Sequence, residues 1–408
     1  MFRKDDIMKK IFNRKNLKEW TLSIQHLFAM FGACCLVPIL VGINPSVAIL
    51  TAGIGTLIFH LCSKGKVPAF LGSSFAFISP IIAVSTTYGY EYVQGGIVVV
   101  GLIYALMSVL IYKIGSEKIS KFLPPHIVGA MIMIIGLTLI PSAVTNINTH
   151  TVVALVTLGT SIAITLFGKG FIKQLGILIG VIVGYLLSLY LGLVDTSIIT
   201  NASLFANPIA LNVPKFNLDA ILILAPLSVC TILEHIGDIT TNGAVVGKDF
   251  IKDPGLHRTL LGDGIATLVA GLLGSVPNTT YGENTSLLAI TKNYNPKLLR
   301  MTAIIAILLS FVGVFGATIQ SIPSAVIGGI SLQLYCMIAF IGAKNIKDSK
   351  SYKNISKVIV ILVMLVIGLG SLVGINISLP LGVVTLSGLS LAGVVGIILN
   401  AILVKFNK

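Results

Sequence analysis

Apolar runs of about 17–25 residues, the length that crosses the hydrocarbon of a bilayer as a helix, follow one another along almost the whole chain. Fourteen segments of this kind can be marked, beginning near Leu22, Val47, Val67, Gly95, Pro124, Val152, Gln174, Ala220, Leu260, Val276, Met301, Ser324, Val358 and Leu379. No feature constrains the fold more. In lipid every backbone N–H and C=O needs a partner inside the protein, so spans are helices, and irregular backbone survives only where protein or a watery cavity surrounds it. Only 10% of the 408 residues are charged, 55% are hydrophobic, and the mean hydropathy is +0.99. Soluble domains carry about 25% charged residues. The chain is therefore expected to be an all-α polytopic membrane protein, multi-pass in the lipid bilayer.

A net charge of +14 would suit a nucleic-acid binder, but the bases are not distributed as one would place them. Of the 28 Lys and Arg residues, 27 fall on alternate connections, and Lys215 is the exception. Short basic loops stay cytoplasmic, so both termini are expected inside, and an even number of spans agrees. Nucleic acid is excluded as a partner. The basic stretch from Arg3 to Lys18 reads as a cytoplasmic tail, either solvated or lying along anionic lipid. The first apolar run lacks a small-residue cleavage site and is followed by many more, so no cleaved signal peptide is expected. Cys34, Cys35, Cys62, Cys230 and Cys336 show neither metal-ligand nor disulfide spacing and read as small apolar core residues.

Two segments break the rule of continuous apolar helix. Val67–Pro80 opens with Pro68, breaks at Gly72-Ser73-Ser74 and sets Phe75 and Phe77 beside the break. A short extended piece followed by a helix capped by Ser73 or Ser74 fits this order. Val276–Thr291 repeats the design, with Pro277 early, an interruption at Thr279–Gly282 and then a helix. The two lie seven segments apart, and an odd number per half inverts the second half. Interrupted segments at matching places of two inverted halves point to a transporter's binding site. Span eight carries Glu234 and Asp238 four residues apart, hence on one helix face. A charge at the centre of a span costs about 2.5–3.5 kcal/mol, so such a pair binds protons, cations or the N–H groups of a ligand, or caps a neighbouring helix. Glu283 follows Gly282 where the half-helix should begin, beside unpaired main-chain N–H groups. No Lys or Arg falls inside a predicted span, which favours a neutral, N–H-rich substrate over an anion. Donors alternating with acceptors suit a flat lactam or imide, with Phe75 or Tyr281 against its face. His26 in span one reads either as a packing residue or as a proton carrier.

These residues resemble the nucleobase–ascorbate transporters (nucleobase:cation symporters), and most closely the bacterial uracil permeases. The resemblance covers nearly the whole chain. It rests on Q-H-L-F-A-M-F-G (Gln25–Gly32), K-G-K-V-P-A-F-L-G-S-S-F-A-F-I-S-P (Lys64–Pro80), E-H-I-G (Glu234–Gly237), D-P-G-L-H-R (Asp253–Arg258) and P-N-T-T-Y-G-E-N (Pro277–Asn284). It implies fourteen spans in two inverted repeats of seven, with short β-strands in segments 3 and 10. The cytoplasmic tail would be residues 1–20. Residues 21–122 and 219–322 would form a core domain, and residues 123–218 and 323–408 a gate domain. It further implies a homodimer in the bacterial inner membrane that imports a nucleobase, most closely uracil, by moving core against gate. Proton symport is the expected coupling, with Na⁺ left open and no cofactor. The substrate contacts it implies are Phe75, Glu234, Tyr281, Gly282, Glu283 and the gate-side Tyr335. Asp238, Glu283 and His26 are implied in proton coupling, with Asp238 linked to His26.

Two departures stand out. Asp238 occupies a position where the uracil type carries His and resembles the purine-transporting branch, so a xanthine or purine-base symporter is the alternative. Thr285-Ser286 follow Asn284 where the uracil type usually has a Gly near the second position. Asp263, at the expected cytoplasmic start of span nine, reads as structural. An intramembrane aspartyl protease would need Tyr-Asp on one span and Gly-x-Gly-Asp on the next, and the chain has no Tyr-Asp. A channel fits broken half-helices poorly. An enzyme is not expected.

Overall fold

The computed structural model describes residues 14–115, 124–209, 212–375, 377–381 and 384–406. Of the expected basic tail, residues 1–13 lie outside them. Helix α1 (Arg14–Leu40) already begins inside the stretch expected to be tail. It is followed by α2 (Pro45–Cys62), where Pro45 takes the first helical position and the Asn44 side chain accepts from Ser46 N–H. The third segment is broken as its glycine and proline required: strand β1 (Leu71–Ser73), one 3-10 turn (Phe75–Phe77) and helix α3 (Ile78–Tyr88). Ser74 sits at the start of that turn but makes no side-chain cap bond; its N–H is held by Pro277 O at 2.9 Å. Helices α4 (Tyr90–Ile114), α5 (Pro125–Ile147), α6 (Thr151–Phe167) and α7 (Gly176–Tyr190) complete the first half.

The second half opens with α8 (Leu218–Leu224) and α9 (Leu227–Val246), separated at Pro226, and α10 (Leu256–Leu272). The tenth segment is broken like the third, into β2 (Asn278–Thr280) and α11 (Gly282–Thr291). Then come α12 (Pro296–Ser310), α13 (Gly313–Gln320), α14 (Ser324–Asp348) and α15 (Ile355–Leu369). The last expected segment, marked from Leu379, does not begin as a helix. Strands β3 (Ser378–Leu381) and β4 (Val384–Ser387) form an antiparallel hairpin, and only then does α16 (Gly388–Phe406) start. Pro380 disfavours a helix there and Val384 and Thr385 favour extended backbone, which a hydropathy window does not register. Seven helices among the described residues are long and apolar enough to cross a membrane.

Helix packing falls into two groups. In one, α4 lies on α10, and α2 on both α10 and α12; in the other, α14 lies on α5 and α6, α5 on α15, α6 on α7, and α15 on α16. The contacts pair off when each segment is exchanged with the one seven places away. Segment four on nine (α4, α10) answers segment eleven on two (α12, α2), and six on seven (α6, α7) answers thirteen on fourteen (α15, α16). The α5–α14 contact relies on missing side chains: a Cβ added at Gly129 would lie 2.7 Å from Gly342 O, and one at Gly342 2.5 Å from Gly129 O. Small residues let helix backbones approach this closely in lipid.

The two broken segments meet. β1 and β2 pair antiparallel, with Leu71 opposite Thr280, Gly72 opposite Thr279 and Ser73 opposite Asn278. One further main-chain bond extends the pair at each end, Tyr281 N to Phe70 O and Ser74 N to Pro277 O, both 2.9 Å. An isolated strand would leave its polar backbone unpaired; here each segment supplies what the other lacks.

Candidate functional site

The strand pair is the frame of the site, and buried hydroxyls and amides pin it in place. Leu71 N–H donates to Thr56 Oγ1 at 2.9 Å and Ser73 Oγ to Cys34 O at 3.1 Å, tying β1 to α2 and α1. Asn278 Nδ2 donates to Thr51 O at 3.1 Å, and Thr267 Oγ1 to Asn278 O at 3.2 Å, tying β2 to α2 and α10. The Tyr281 ring occupies the space where a side chain on Gly72 would stand, and its hydroxyl donates to Ser73 O at 3.0 Å. Tyr281 is also the residue before the first turn of α11, whose free N–H groups carry partial positive charge.

On α9 three polar side chains recur every fourth residue, one helical turn apart. Asn242 Nδ2 donates to Pro68 O at 2.8 Å and to Thr285 Oγ1 at 3.1 Å. One turn nearer the strands, Asp238 Oδ2 accepts from Thr280 Oγ1 at 2.8 Å. One turn further, half-buried Glu234 makes no hydrogen bond among the described residues. Glu283 lies in the first turn of α11. The carboxylates of Glu234, Asp238 and Glu283 lie close enough for their charges to interact. Both Gly237 and Gly282 are exposed, and a Cβ on either would meet nothing within 4 Å. Open space therefore borders the acids on α9 and at the α11 terminus.

Phe75 is half-buried and packs against three apolar clusters, one of which contains Tyr281 and another Tyr335. It also lines a cavity of about 330 Å³ with Ser79, Leu139, Ile223, Ser371 and Ser390; none of the carboxylates is among the lining residues. The expected residues Phe75, Glu234, Asp238, Tyr281, Gly282 and Glu283 are thus gathered around the strand pair. Tyr335 is close to Phe75 through a shared cluster but has no exposed surface.

One expected link is absent. His26 is fully buried on α1, where Asn284 Nδ2 lies 3.2 Å from its Nδ1 and donates to its backbone O at 3.1 Å. No hydrogen bond joins it to Asp238 among the described residues, because Asp238 faces β2 while His26 faces α11. Four residues outside the expected set support the site: Asn242, Thr280, Asn284 and His235. The fourfold spacing from Glu234 through Asp238 reaches Asn242 and could have found it. His235 carried no such signal. Its Nδ1 lies 3.2 Å from Asp263 Oδ2, both side chains being fully buried, so Asp263 belongs to the packed interior between α9 and α10.

The family model Xan_ur_permease, described as a permease family, matches residues 17–377. The chain is 41% identical over 403 residues to a probable uracil permease of Haemophilus influenzae, covering 96% of each. It is 43% identical over 402 residues to the uracil permease of Bacillus subtilis, covering 94% of this chain and 92% of that one. The solved structure of SLC26A9 superposes with a TM-score of 0.70 at 10% identity, over all of this chain and 70% of that one, which speaks to the fold alone. With its fold, its paired interrupted segments and these matches in agreement, the chain belongs to the permease family of the nucleobase–ascorbate transporters, the group that includes the bacterial uracil permeases.

Proposed function

We propose that this permease imports uracil by proton symport. The observation that carries the reading is Glu234, a carboxylate with no hydrogen bond among the described residues, beside open space and close enough to Glu283 at the donor-rich start of α11 for the two charges to interact. The N–H groups of a uracil ring donate to Glu234 and Glu283, and the main-chain amides of the two half-helices meet its carbonyls. Phe75 lies against the ring, and Tyr281 fixes the frame. Asp238 and His26 are assigned to relaying the coupling proton, through separate contacts rather than a shared bond; this leaves open which buried group stores it. The names of the relatives support uracil as the cargo.

Transport in this reading is alternating access. Segments 1–4 and 8–11 form the core and segments 5–7 and 12–14 the gate, as two inverted repeats of seven; the sevenfold offset in the helix contacts supports that division. The protein sits in the bacterial inner membrane as a homodimer with both termini cytoplasmic. Purified protein in liposomes tests this directly. Radiolabelled uracil should accumulate when an inward proton gradient is imposed, and xanthine should not. Xanthine uptake without uracil uptake would overturn the substrate, and gradient-independent, non-saturable flux the mechanism. A xanthine or purine-base symporter is the second reading, favoured by one observation, the Asp at position 238 on Thr280.

A further inference from the structure

Apart from the carboxylates that border open space, the described residues hold a buried His–Asp pair deep in the core. His235 follows Glu234 in sequence but points the other way, between α9 and α10. Its Nδ1 lies 3.2 Å from Asp263 Oδ2 and its Nε2 3.0 Å from Thr259 Oγ1; all three side chains have no exposed surface. Thr259 Oγ1 is also 3.0 Å from Leu256 O, one turn back on α10. The hydroxyl thus has two possible destinations for its single hydrogen.

This matters because the pair can exist in two forms that differ by one proton, although neither His235 Nδ1 nor either Asp263 oxygen makes a hydrogen bond among the described residues and the 3.2 Å approach is an ion-pair contact. In the loaded form the imidazolium pairs in charge with Asp263 across the Nδ1 contact and donates from Nε2 to Thr259, whose own hydrogen goes to Leu256 O. In the unloaded form neutral His235 keeps Nδ1 toward ionised Asp263, and the Thr259 hydroxyl turns to donate to Nε2. Rotation of one hydroxyl accommodates the change. What differs is the charge, zero when loaded and minus one when unloaded. That charge is felt by Glu234, whose carboxylate interacts with Asp263. Among the described residues, the groups noted around the pair are aromatic or acidic. Phe59 of α2 presents its ring 6.3 Å from the imidazole, Tyr104 of α4 bonds to Thr231 one turn before His235, and Asp238 and Glu283 are further acids.

We propose that His235 and Asp263, with Thr259 as a rotating partner, hold the coupling proton. Glu234 must be ionised to accept the N–H groups of the substrate. A neutral loaded pair permits this, and a negative unloaded pair opposes it. Proton on the pair and substrate on Glu234 therefore favour one another, and the coupling is reciprocal. This rests on the proton-coupled reading above.

Proton uptake during uracil binding, measured with a pH indicator in weakly buffered detergent solution, tests the assignment together with transport. The wild type should take up about one proton per uracil across the pH range where the pair loads. Asp263→Asn removes the carboxylate that balances the imidazolium, so a proton on His235 would be an unpaired buried charge and the loaded form is disfavoured. It should bind uracil with little pH dependence, take up no proton and exchange uracil across liposomes, yet fail to accumulate it against a gradient. Thr259→Val removes the partner of the charged Nε2–H. It disfavours the loaded form, so the pH of half-maximal uptake should fall by about one unit. Unchanged proton uptake in Asp263→Asn with an unshifted Thr259→Val profile would overturn the assignment alone. Absence of proton uptake in the wild type would overturn it along with the proton-coupled reading. Loss of binding, exchange and thermal stability together in Asp263→Asn, with an unshifted Thr259→Val profile, would mark the pair as structural and overturn the assignment.

Discussion

Glu234 is a carboxylate that the fold surrounds without satisfying, and such a group costs stability while the protein is empty. Glu234→Gln should therefore leave the melting temperature unchanged or raised. Uracil binding, measured by isothermal titration, should weaken about 10- to 100-fold, the loss of hydrogen bonds to a charged acceptor. A fall in both would place Glu234 in the scaffold instead. Two glycines make a second residue-level contrast. The Tyr281 ring stands where a Gly72 side chain would go, whereas the space in front of Gly282 is open. Gly72→Ala should lower thermal stability. Gly282→Ala should leave it within about 2 °C, as surface changes do, while reducing uptake because the new methyl enters the ligand's space. At this scale the sequence disclosed the acids well, since a charge in an apolar run is conspicuous. It did not disclose their partners. The Thr280 bond to Asp238 and the Asn284 bond to His26 depend on which helix faces which, and neither residue differs in type from ordinary span-lining polar residues.

Among the elements, the two broken segments were legible because proline, glycine and hydroxyl residues interrupted hydrophobic runs of the expected length. Their antiparallel register was not, because two three-residue strands hold too little alternation to define a pairing. The β3–β4 hairpin was missed for the opposite reason: Leu379 to Leu386 is apolar enough to pass for the start of a span. Buried ties now explain how such short strands persist. Asn278 reaches Thr51 O and, at 3.4 Å, Ala266 O, so its amide links β2 to both α2 and α10. Asn278→Ala would leave those carbonyls short of a donor. We expect a loss of about 1–3 kcal/mol, read as a lowered melting temperature in detergent, with uracil affinity falling in parallel because the site frame loosens. A variant with normal stability and no binding would assign Asn278 to the substrate.

For the whole molecule, the multi-pass membrane character was legible from the length of apolar runs, which is a one-dimensional property. The grouping of helices into two bodies was not available without a resemblance, because lipid-facing and partner-facing surfaces are equally apolar. Where the two groups touch, Leu36 of α1 shares a cluster with Ile330 and Leu334 of α14. In a cysteine-free background, Leu36→Cys with Ile330→Cys should stop uptake when joined by a short crosslinker and recover on cleavage. A pair within one group, Ala130→Cys with Ile346→Cys, should transport when joined, since both belong to a single packed cluster. Transport by the first crosslinked pair would argue against relative motion of the two groups.

The strand pair also sets terms for how the protein is made. β1 is complete by residue 73, but its partner does not exist until residue 280 has been synthesised. Until then the third segment enters the membrane with main-chain groups that hydrocarbon cannot satisfy. The first half must wait, sheltered by water, by translocation machinery or by its own provisional contacts, and its interior closes only when the second half arrives. A chain cut in the connection between α7 and α8 should consequently yield two fragments that are each degraded when expressed alone and stable when expressed together. Pulse-labelled membranes would show this as mutual protection, and assembly would be seen as an act of two halves rather than of one chain read from its beginning.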